Sequence, residues 1–566
     1  MTFRSQNRPA FPRLFTYRSD SEGGPERRWP DLPSIPLGWR LFGLVLLCLI
    51  PRVLTACVLG SICDDGYYYI TIASAFAHGH WSDAFAYLDL NVYPVILLGL
   101  NSLGLEWILA GKVWSILVST LAVLPLFGWV RRMFSDQVAW AAGFLYSLHA
   151  EFVELSFEPI RDPTFWFLFN LCLYTMVRAI SEVKYRWFLA NGVVLTLAIH
   201  TRSEGWLLTI PLFLWLARQL AIRVDCRKKL LAGGAMSLAV LPAMILVINL
   251  TVLRDQPEWQ FGRLSHFAVG WKWIQERLPA EEPAVAETSN SLAASAPVEE
   301  APIPPAVPPP KPPRAGKYFK DMASALEQIN LGLLVFGLFW SGRELIDWDR
   351  GTLFVLAFAL AAAVWILFDH YGHLNGRYFL PIYLTLIPFC GIGYLLVFYG
   401  LWNFAERSNR PWLRPEYTAV FLIVLAIGLG WADALTTNYE RRQQEQEFGA
   451  WLEETHGPFH SVITDSESIR AAYRANRDVP NVLPHWSTLP TQYADFAPDL
   501  LILGCQATPP EARGVVDAEV ARRGLVPLSL PEKQEGRGLY LVFVRPREAA
   551  ETPQTAARSS RETRRE

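Results

Sequence analysis

The sequence predicts a polytopic α-helical membrane protein of about eleven transmembrane helices with a small C-terminal α/β extracytoplasmic domain. Three observations predict it. Apolar runs of membrane-spanning length recur between Leu37 and Leu435. Of 566 residues, 52% are hydrophobic and only 18% charged, where globular chains average roughly 25% charged. Beyond Leu435 the long runs stop, and short apolar segments alternate with charged ones. The same figures exclude other classes. A net charge of −2 provides no basic stripe for nucleic acid. The aromatic and aliphatic content excludes a mainly disordered chain, and 7 Cys are too few for a disulfide framework.

Residues 1–36 are polar and Pro-rich, with six arginines, and read as a cytoplasmic segment. The first apolar run, 37–60, has no small-x-small cleavage site and reads as an uncleaved anchor. Further runs with spanning character are 108–130, 138–156, 163–180, 187–201, 205–222, 230–252, 326–340, 352–368, 379–399 and 417–435. A hydrocarbon core asks for about 17–25 helical residues, so 187–201 and 326–340 are marginal. The shorter stretch 93–105 reads as an interfacial or re-entrant helix. Residues 37–436 then form the membrane domain.

Lys and Arg in short loops set the orientation. With the N-terminus cytoplasmic, the inner loops hold Arg131 and Arg132, Lys184 and Arg186, Arg223 to Lys229, Arg343 and Arg350, and Arg407 to Arg414. The outer segments are then 61–107, 157–162, 202–204, 253–325, 369–378 and the tail. Within 253–325, residues 279–317 are a Pro/Ala-rich tract expected to be disordered. Residues 437–549 show strand patterns at 461–464, 500–503 and 539–544 with a helix at 466–474. They read as a soluble extracytoplasmic domain, and 550–566 as a disordered tail.

Ionisable groups beside membrane helices are costly and mark function by default. The first outer loop opens Cys63-Asp64-Asp65-Gly66-Tyr67-Tyr68-Tyr69. A carboxylate there can deprotonate an acceptor hydroxyl or help hold a cation; the alternative is a solvated loop with an aromatic belt. Glu158-Pro159-Ile160-Arg161-Asp162-Pro163 and His200-Thr201-Arg202-Ser203-Glu204-Gly205 supply carboxylates and arginines that fit either a site or structural salt bridges. The last outer turn runs from Asp369 to Tyr378. Its His370 and His373 have a metal-binding spacing without a clear third ligand, so a divalent cation is a possibility and no cofactor is certain. Arginine's planar fork suits phosphate oxygens. Carboxylates for a hydroxyl and arginines for a phosphate, gathered at one face, suit a sugar carried on a lipid phosphate.

On these residues the sequence resembles the GT-C membrane glycosyltransferases, in the group that includes protein O-mannosyltransferases and the bacterial lipid A aminoarabinose transferase. The resemblance rests on Asp64-Asp65-Gly66-Tyr67-Tyr68, Ala73, Gly79-His80-Trp81 and Tyr93-Pro94. Arg161-Asp162-Pro163, Thr201-Arg202-Ser203-Glu204-Gly205 and Gly376-Arg377-Tyr378-Phe379-Leu380-Pro381 add to it. It covers roughly residues 37–440. Ser203 stands where a Pro is common, and one Pro follows Tyr93 where a pair is frequent, departures that bear on the acceptor.

The resemblance implies Asp64 as catalytic carboxylate, Asp65 as its acidic neighbour, and Asp162, with Glu158 nearby, as the acidic residue of the second outer loop. It also implies a polyprenyl-phosphate or dolichyl-phosphate sugar donor and transfer with inversion. The expected enzyme is a hexosyl- or pentosyltransferase of the plasma (inner) membrane acting on an extracytoplasmic glycan, lipid or protein. Arg161, Arg202, Arg377 and Tyr378 are the expected donor-phosphate residues, and Glu158, Asp162 and Glu204 supporting acids. The competing expectation is a transporter or flippase of a lipid-linked sugar, for which paired internal repeats are the usual sign. The two halves show none.

Overall fold

The computed structural model describes residues 36–58, 63–81, 84–85, 90–254, 315–341, 347–371, 374–408, 417, 424, 428, 439–457, 459, 461–465, 468–476, 481–483, 498–504, 513–528 and 540–546. The expected disordered segments, 279–317 for the most part and 550–566, lie outside them, as do the expected span 417–435, apart from three isolated positions, and nearly all of residues 1–36.

The chain enters the membrane as α1 (Leu37–Val58), an apolar helix with a single buried charge, Arg52. Arg52 Nη1 donates to Cys48 O (2.7 Å) and Ser147 O (3.4 Å), and the guanidinium lies 5.1 Å from the Tyr146 ring. A charge inside a membrane helix needs such partners within the bundle. Next come α2 (Asp64–Ala77) and α3 (Val92–Ser102), both too short to cross. The Asn91 side chain caps α3 by accepting from Tyr93 N at 2.9 Å.

Helices α4 (Trp107–Leu121) and α5 (Val123–Met133) together make one crossing length, 107–133. The run expected as a single span over 138–156 is broken. It forms α6 (Asp136–Leu148), an extended residue at His149, the five-residue α7 (Ala150–Glu154) and a 3-10 turn, Leu155–Phe157. Next are α8 (Arg161–Glu182), α9 (Tyr185–Thr201), a 3-10 turn Ser203–Leu208, α10 (Thr209–Ile222) and α11 (Arg227–Thr251). After the insertion come α12 (Ala315–Ala325) and α13 (Gln328–Ser341), bent 92° to each other. The membrane region closes with α14 (Trp348–Tyr371), a 3-10 turn Gly376–Tyr378 and α15 (Leu380–Arg407).

Among the described residues seven helical lengths are long and apolar enough to cross a membrane, or eight if the bent pair counts as one. The difference from about eleven has specific causes. The 138–156 run breaks at His149, and α9 has only 17 residues. At 1.5 Å per residue that is about 25 Å, the lower limit for a ~30 Å core. The run 326–340 is one arm of the bent pair, and 417–435 is not described.

Close helix contacts use small residues, as is usual inside membranes. A Cβ on Gly393 of α15 would meet the Leu333 backbone of α13, and one on Gly337 would lie 2.9 Å from Gly393 N. The main core runs through this bundle, with Trp129, Trp166, Tyr146, Phe152 and Tyr383 fully buried.

After α16 (Tyr439–His456) the chain forms a five-stranded sheet with β1 (Val462–Asp465), β2 (Asn481–Leu483), β3 (Leu500–Gly504), β4 (Val526–Pro527) and β5 (Tyr540–Val544). The order is β2-β1-β3-β5-β4, with the first three parallel and the last two antiparallel. Parallel strands need crossover connections, and α17 (Ile469–Asn476) links β1 to β2, while α18 (Arg513–Arg522) lies between β3 and β4. Helices cover both faces. Phe448, Leu452, Ala471 and Ala472 pack on one, and Val516 and Val520 on the other. Helix α17 also touches α2.

Candidate active site

Four segments far apart in sequence meet at one end of the helical bundle. The start of α2 supplies Asp64 and Asp65, the turn before α8 supplies Glu158, Arg161 and Asp162, the end of α9 supplies Arg202 and Glu204, and the turn before α15 supplies Arg377 and Tyr378.

Helix α2 begins where it does because a buried carboxylate receives it. Glu158 is fully buried, and its Oε2 accepts from Cys63 N at 2.6 Å. Cys63 is the residue before the helix. A negative charge at a helix N-terminus satisfies an otherwise unbonded N–H and complements the helix dipole. The start of α2, and with it the Asp64-Asp65 pair, is thereby tied to the second loop. Burial pushes the Cys63 thiol well up, and the Glu158 and Asp65 charges push it further. The Asp64 side chain lies outside the described residues; its backbone opens the helix.

Asp65 pairs with Arg377, whose Nη2 lies 2.5 Å from Oδ2. The Arg377 turn is shaped locally, since the Asn375 side chain accepts from Arg377 N at 3.2 Å. Burial works against the Arg377 charge, and Asp162, Asp65 and Tyr378 outweigh it, so its proton is held more tightly than usual. Among the described residues Arg377 Nε makes no hydrogen bond although it is buried. Arg161 is half-buried, and its guanidinium lies 5.9 Å from the Tyr69 ring.

Arg202 is different. It is fully buried, ion-paired to Asp162 and held by Glu204, with Nη2 to Oε1 at 2.5 Å and Nε to Oε1 at 3.2 Å. Its guanidinium lies 4.9 Å from the Tyr378 ring. Burial would lower the affinity of Arg202 for its proton, but Asp162 and Glu204 reverse this and the net shift is upward. Two carboxylates and a tyrosine face therefore account for this side chain, and it ties α8 and α9 to the Arg377 turn.

The sequence reading did not single out Glu151 or Glu327. Glu151 lies on α7, outside the membrane-crossing lengths, against the backbone of Gly376. Burial pushes its carboxyl up to about 8, reinforced by Glu154 and Glu327 and opposed by Arg377. Glu327 sits in the bend between α12 and α13 at φ +55°, which a non-glycine residue keeps only where its surroundings hold it. Its carboxylate accepts from Ala150 N at 2.7 Å and Asn330 Nδ2 at 2.8 Å. A signal existed for Glu151, a carboxylate within an apolar run. Glu327 carried none, because its contacts are made far along the chain.

The His370 side chain and all of His373 lie outside the described residues. Among the described residues no group of three His, Cys, Asp or Glu side chains could hold a metal ion.

A family model described as dolichyl-phosphate-mannose-protein mannosyltransferase matches residues 94–248. That stretch contains Arg161-Asp162-Pro163 and Arg202-Ser203-Glu204, while Asp64-Asp65 and Gly376-Arg377 lie beyond it. The structure is similar to ArnT from Cupriavidus metallidurans bound to undecaprenyl phosphate, with a TM-score of 0.56 at 12% identity over 92% of this chain and 100% of that one. The same protein in the apo state gives 0.54 at 12% identity over 90% and 98%. The archaeal oligosaccharyltransferase AglB from Archaeoglobus fulgidus, in complex with an inhibitory peptide and a dolichol-phosphate, gives 0.49 at 13% identity over 90% and 75%. No protein of curated function matches the sequence. The fold is thus the GT-C architecture that the loop motifs resemble, and the chain is an integral membrane protein.

Proposed function

We propose that the chain is an inverting glycosyltransferase that moves a sugar from a polyprenyl-phosphate or dolichyl-phosphate donor to an extracytoplasmic acceptor hydroxyl. The observation that carries this reading is the Arg377–Asp65 pair, which sets a cation whose buried Nε–H makes no hydrogen bond among the described residues beside the Asp64-Asp65 start of α2. Asp64 takes the proton of the acceptor hydroxyl as that oxygen attacks the anomeric carbon. The bond from that carbon to the phosphate oxygen breaks, and the lipid phosphate leaves with the electron pair. Attack opposite the leaving group inverts the anomeric centre.

Arg377 and Arg161, which retain exposed surface, neutralise the charge growing on the leaving phosphate, with Tyr378 beside them. Stabilisation of that kind is usually the largest catalytic contribution. Arg202, with Asp162 and Glu204, holds the frame on which Arg377 and Tyr378 rest. Glu158 holds the start of α2. This assignment moves Arg202 from phosphate contact to support, because its donors are already committed.

The transferred group is a hexosyl or pentosyl unit, and the acceptor a glycan, lipid or protein of the cell envelope. The N-terminus lies in the cytoplasm and the site faces outward from the plasma (inner) membrane. Residues 437–549 form a soluble domain on the acceptor side; the contact of α17 with α2 supports that placement. The experiment is transfer from a polyprenyl-phosphate sugar of known anomeric form, with the product linkage read by NMR. A product of opposite configuration is expected. Retained configuration, or passage of the intact donor across the membrane without transfer, overturns the reading.

A further inference from the structure

The proposed reaction leaves Glu151 without a task, yet its carboxyl lies directly under the turn that bears Arg377. A Cβ added to Gly376 would clash with Oε1 and lie 2.8 Å from Oε2 and 2.9 Å from the carboxyl carbon. A side chain at position 376 would have to displace the Glu151 carboxyl, which the backbone of the turn touches directly. The support below is anchored. The N–H of Ala150, the residue before Glu151, is bonded to the Glu327 carboxylate, which is itself fixed by Asn330 and lies 3.3 Å from His149 Nδ1.

We propose that Glu151 is a positioning residue, a strut whose carboxyl fixes the Gly376–Tyr378 turn and so aims Arg377 and Tyr378 at the donor phosphate. The role of the strut in catalysis rests on the lipid-phosphate reading above; its mechanical part does not. Charged groups face Glu151 from each element around it: Glu154 on its own helix, Glu327 at the α12–α13 bend, Asp162 at the start of α8, and Arg377 above. Protonated, Glu151 leaves Arg377 to Asp65. Ionised, it adds a charge to a group already holding three carboxylates and draws Arg377 down, away from Asp65. Its burial keeps the proton on near neutral pH, with the change at about 8. Donor binding therefore weakens as pH rises through that value.

The test uses the full chain in detergent and undecaprenyl phosphate as the probe. Glu151→Ala and Gly376→Ala each weaken binding by about tenfold, as expected when a charged donor is misplaced by a fraction of an ångström. The double variant binds no more weakly than Glu151→Ala alone, because removing the carboxyl makes room for the methyl group. Additive losses, or Gly376→Ala binding like the parent, overturn the strut. Between pH 7 and 9 the parent loses affinity and Glu151→Gln does not; identical pH profiles overturn the ionisation step.

A second readout needs no ligand. Backbone hydrogen exchange over residues 374–379 should be faster in Glu151→Ala and Gly376→Ala than in the parent, and equal exchange overturns the positioning role. If the parent does not bind undecaprenyl phosphate at all, the lipid-phosphate reading falls, while the exchange measurement still decides the strut.

Discussion

Arg377 Nη2 lies 2.5 Å from Asp65 Oδ2, joining the turn before α15 to the first turn of α2. A residue near the end of the membrane region is thus ion-paired to a carboxylate near its beginning.

Removing the Arg377 cation is expected to weaken the stabilisation of a leaving phosphate. Arg377→Ala should lower kcat/KM by about 10²–10³, the range seen when one preorganised donor to a developing anion is lost. Arg377→Lys should recover part of this, since a lysine keeps the charge but not the planar fork. Steady-state kinetics at varied donor concentration makes the comparison. Equal kcat/KM for Arg377→Ala and the parent would remove Arg377 from the site.

Arg202 is expected to matter for folding as much as for rate. Arg202→Met leaves Asp162 and Glu204 buried and unpaired, a change that costs about 3–5 kcal/mol. The variant should unfold at markedly lower temperature in detergent. A thermal midpoint equal to the parent's would show that the triad does not hold the bundle end.

Glu158→Ala should loosen the start of α2. The Cys63 N–H would lose its acceptor, at a cost of about 1–3 kcal/mol. Hydrogen exchange at residues 63–67 should quicken while the rest of the bundle keeps its protection. Unchanged exchange there would mean that Glu158 does not anchor the helix.

Stability should also depend on Glu151 in a defined direction. Its carboxyl titrates at about 8 in the folded chain against an ordinary 4.5, so the folded state holds the proton through the window between. Stability from this group is full below about 4.5 and falls as pH rises through about 8. Glu151→Gln removes that slope. Thermal midpoints across pH 5 to 9 read it, and a parent profile matching that of Glu151→Gln would contradict the assignment.

The fold was legible because lipid imposes a simple rule. Apolar length predicts a crossing helix, and that holds for 37–58, 161–182 and 348–369. It misled at 138–156, where residues apolar enough to cross are packed inside the bundle and the backbone turns out of the helix at His149. Burial by protein and burial by lipid look alike in composition. The candidate site was legible in part for the same reason: charges beside apolar runs stand out, and Asp65, Asp162, Arg202 and Arg377 do meet. What single loops could not reveal was which charges satisfy one another. Arg202 and Arg377 look alike in sequence, yet one is enclosed by two carboxylates and the other, among the described residues, has an Nε–H with no hydrogen bond. Glu327 was invisible because its contacts are with residues 149 and 150, and the motif at Gly376 did not reveal that Glu151 packs against it.

Single-turnover transfer from a radiolabelled polyprenyl-phosphate sugar decides whether Asp64 activates the acceptor hydroxyl. The measurement compares parent and Asp64→Asn membranes at equal protein. Asp64→Asn is expected to bind the donor still but to transfer at least about 10²-fold more slowly, the lower end of what a general base contributes. Transfer at the parent's rate would contradict it.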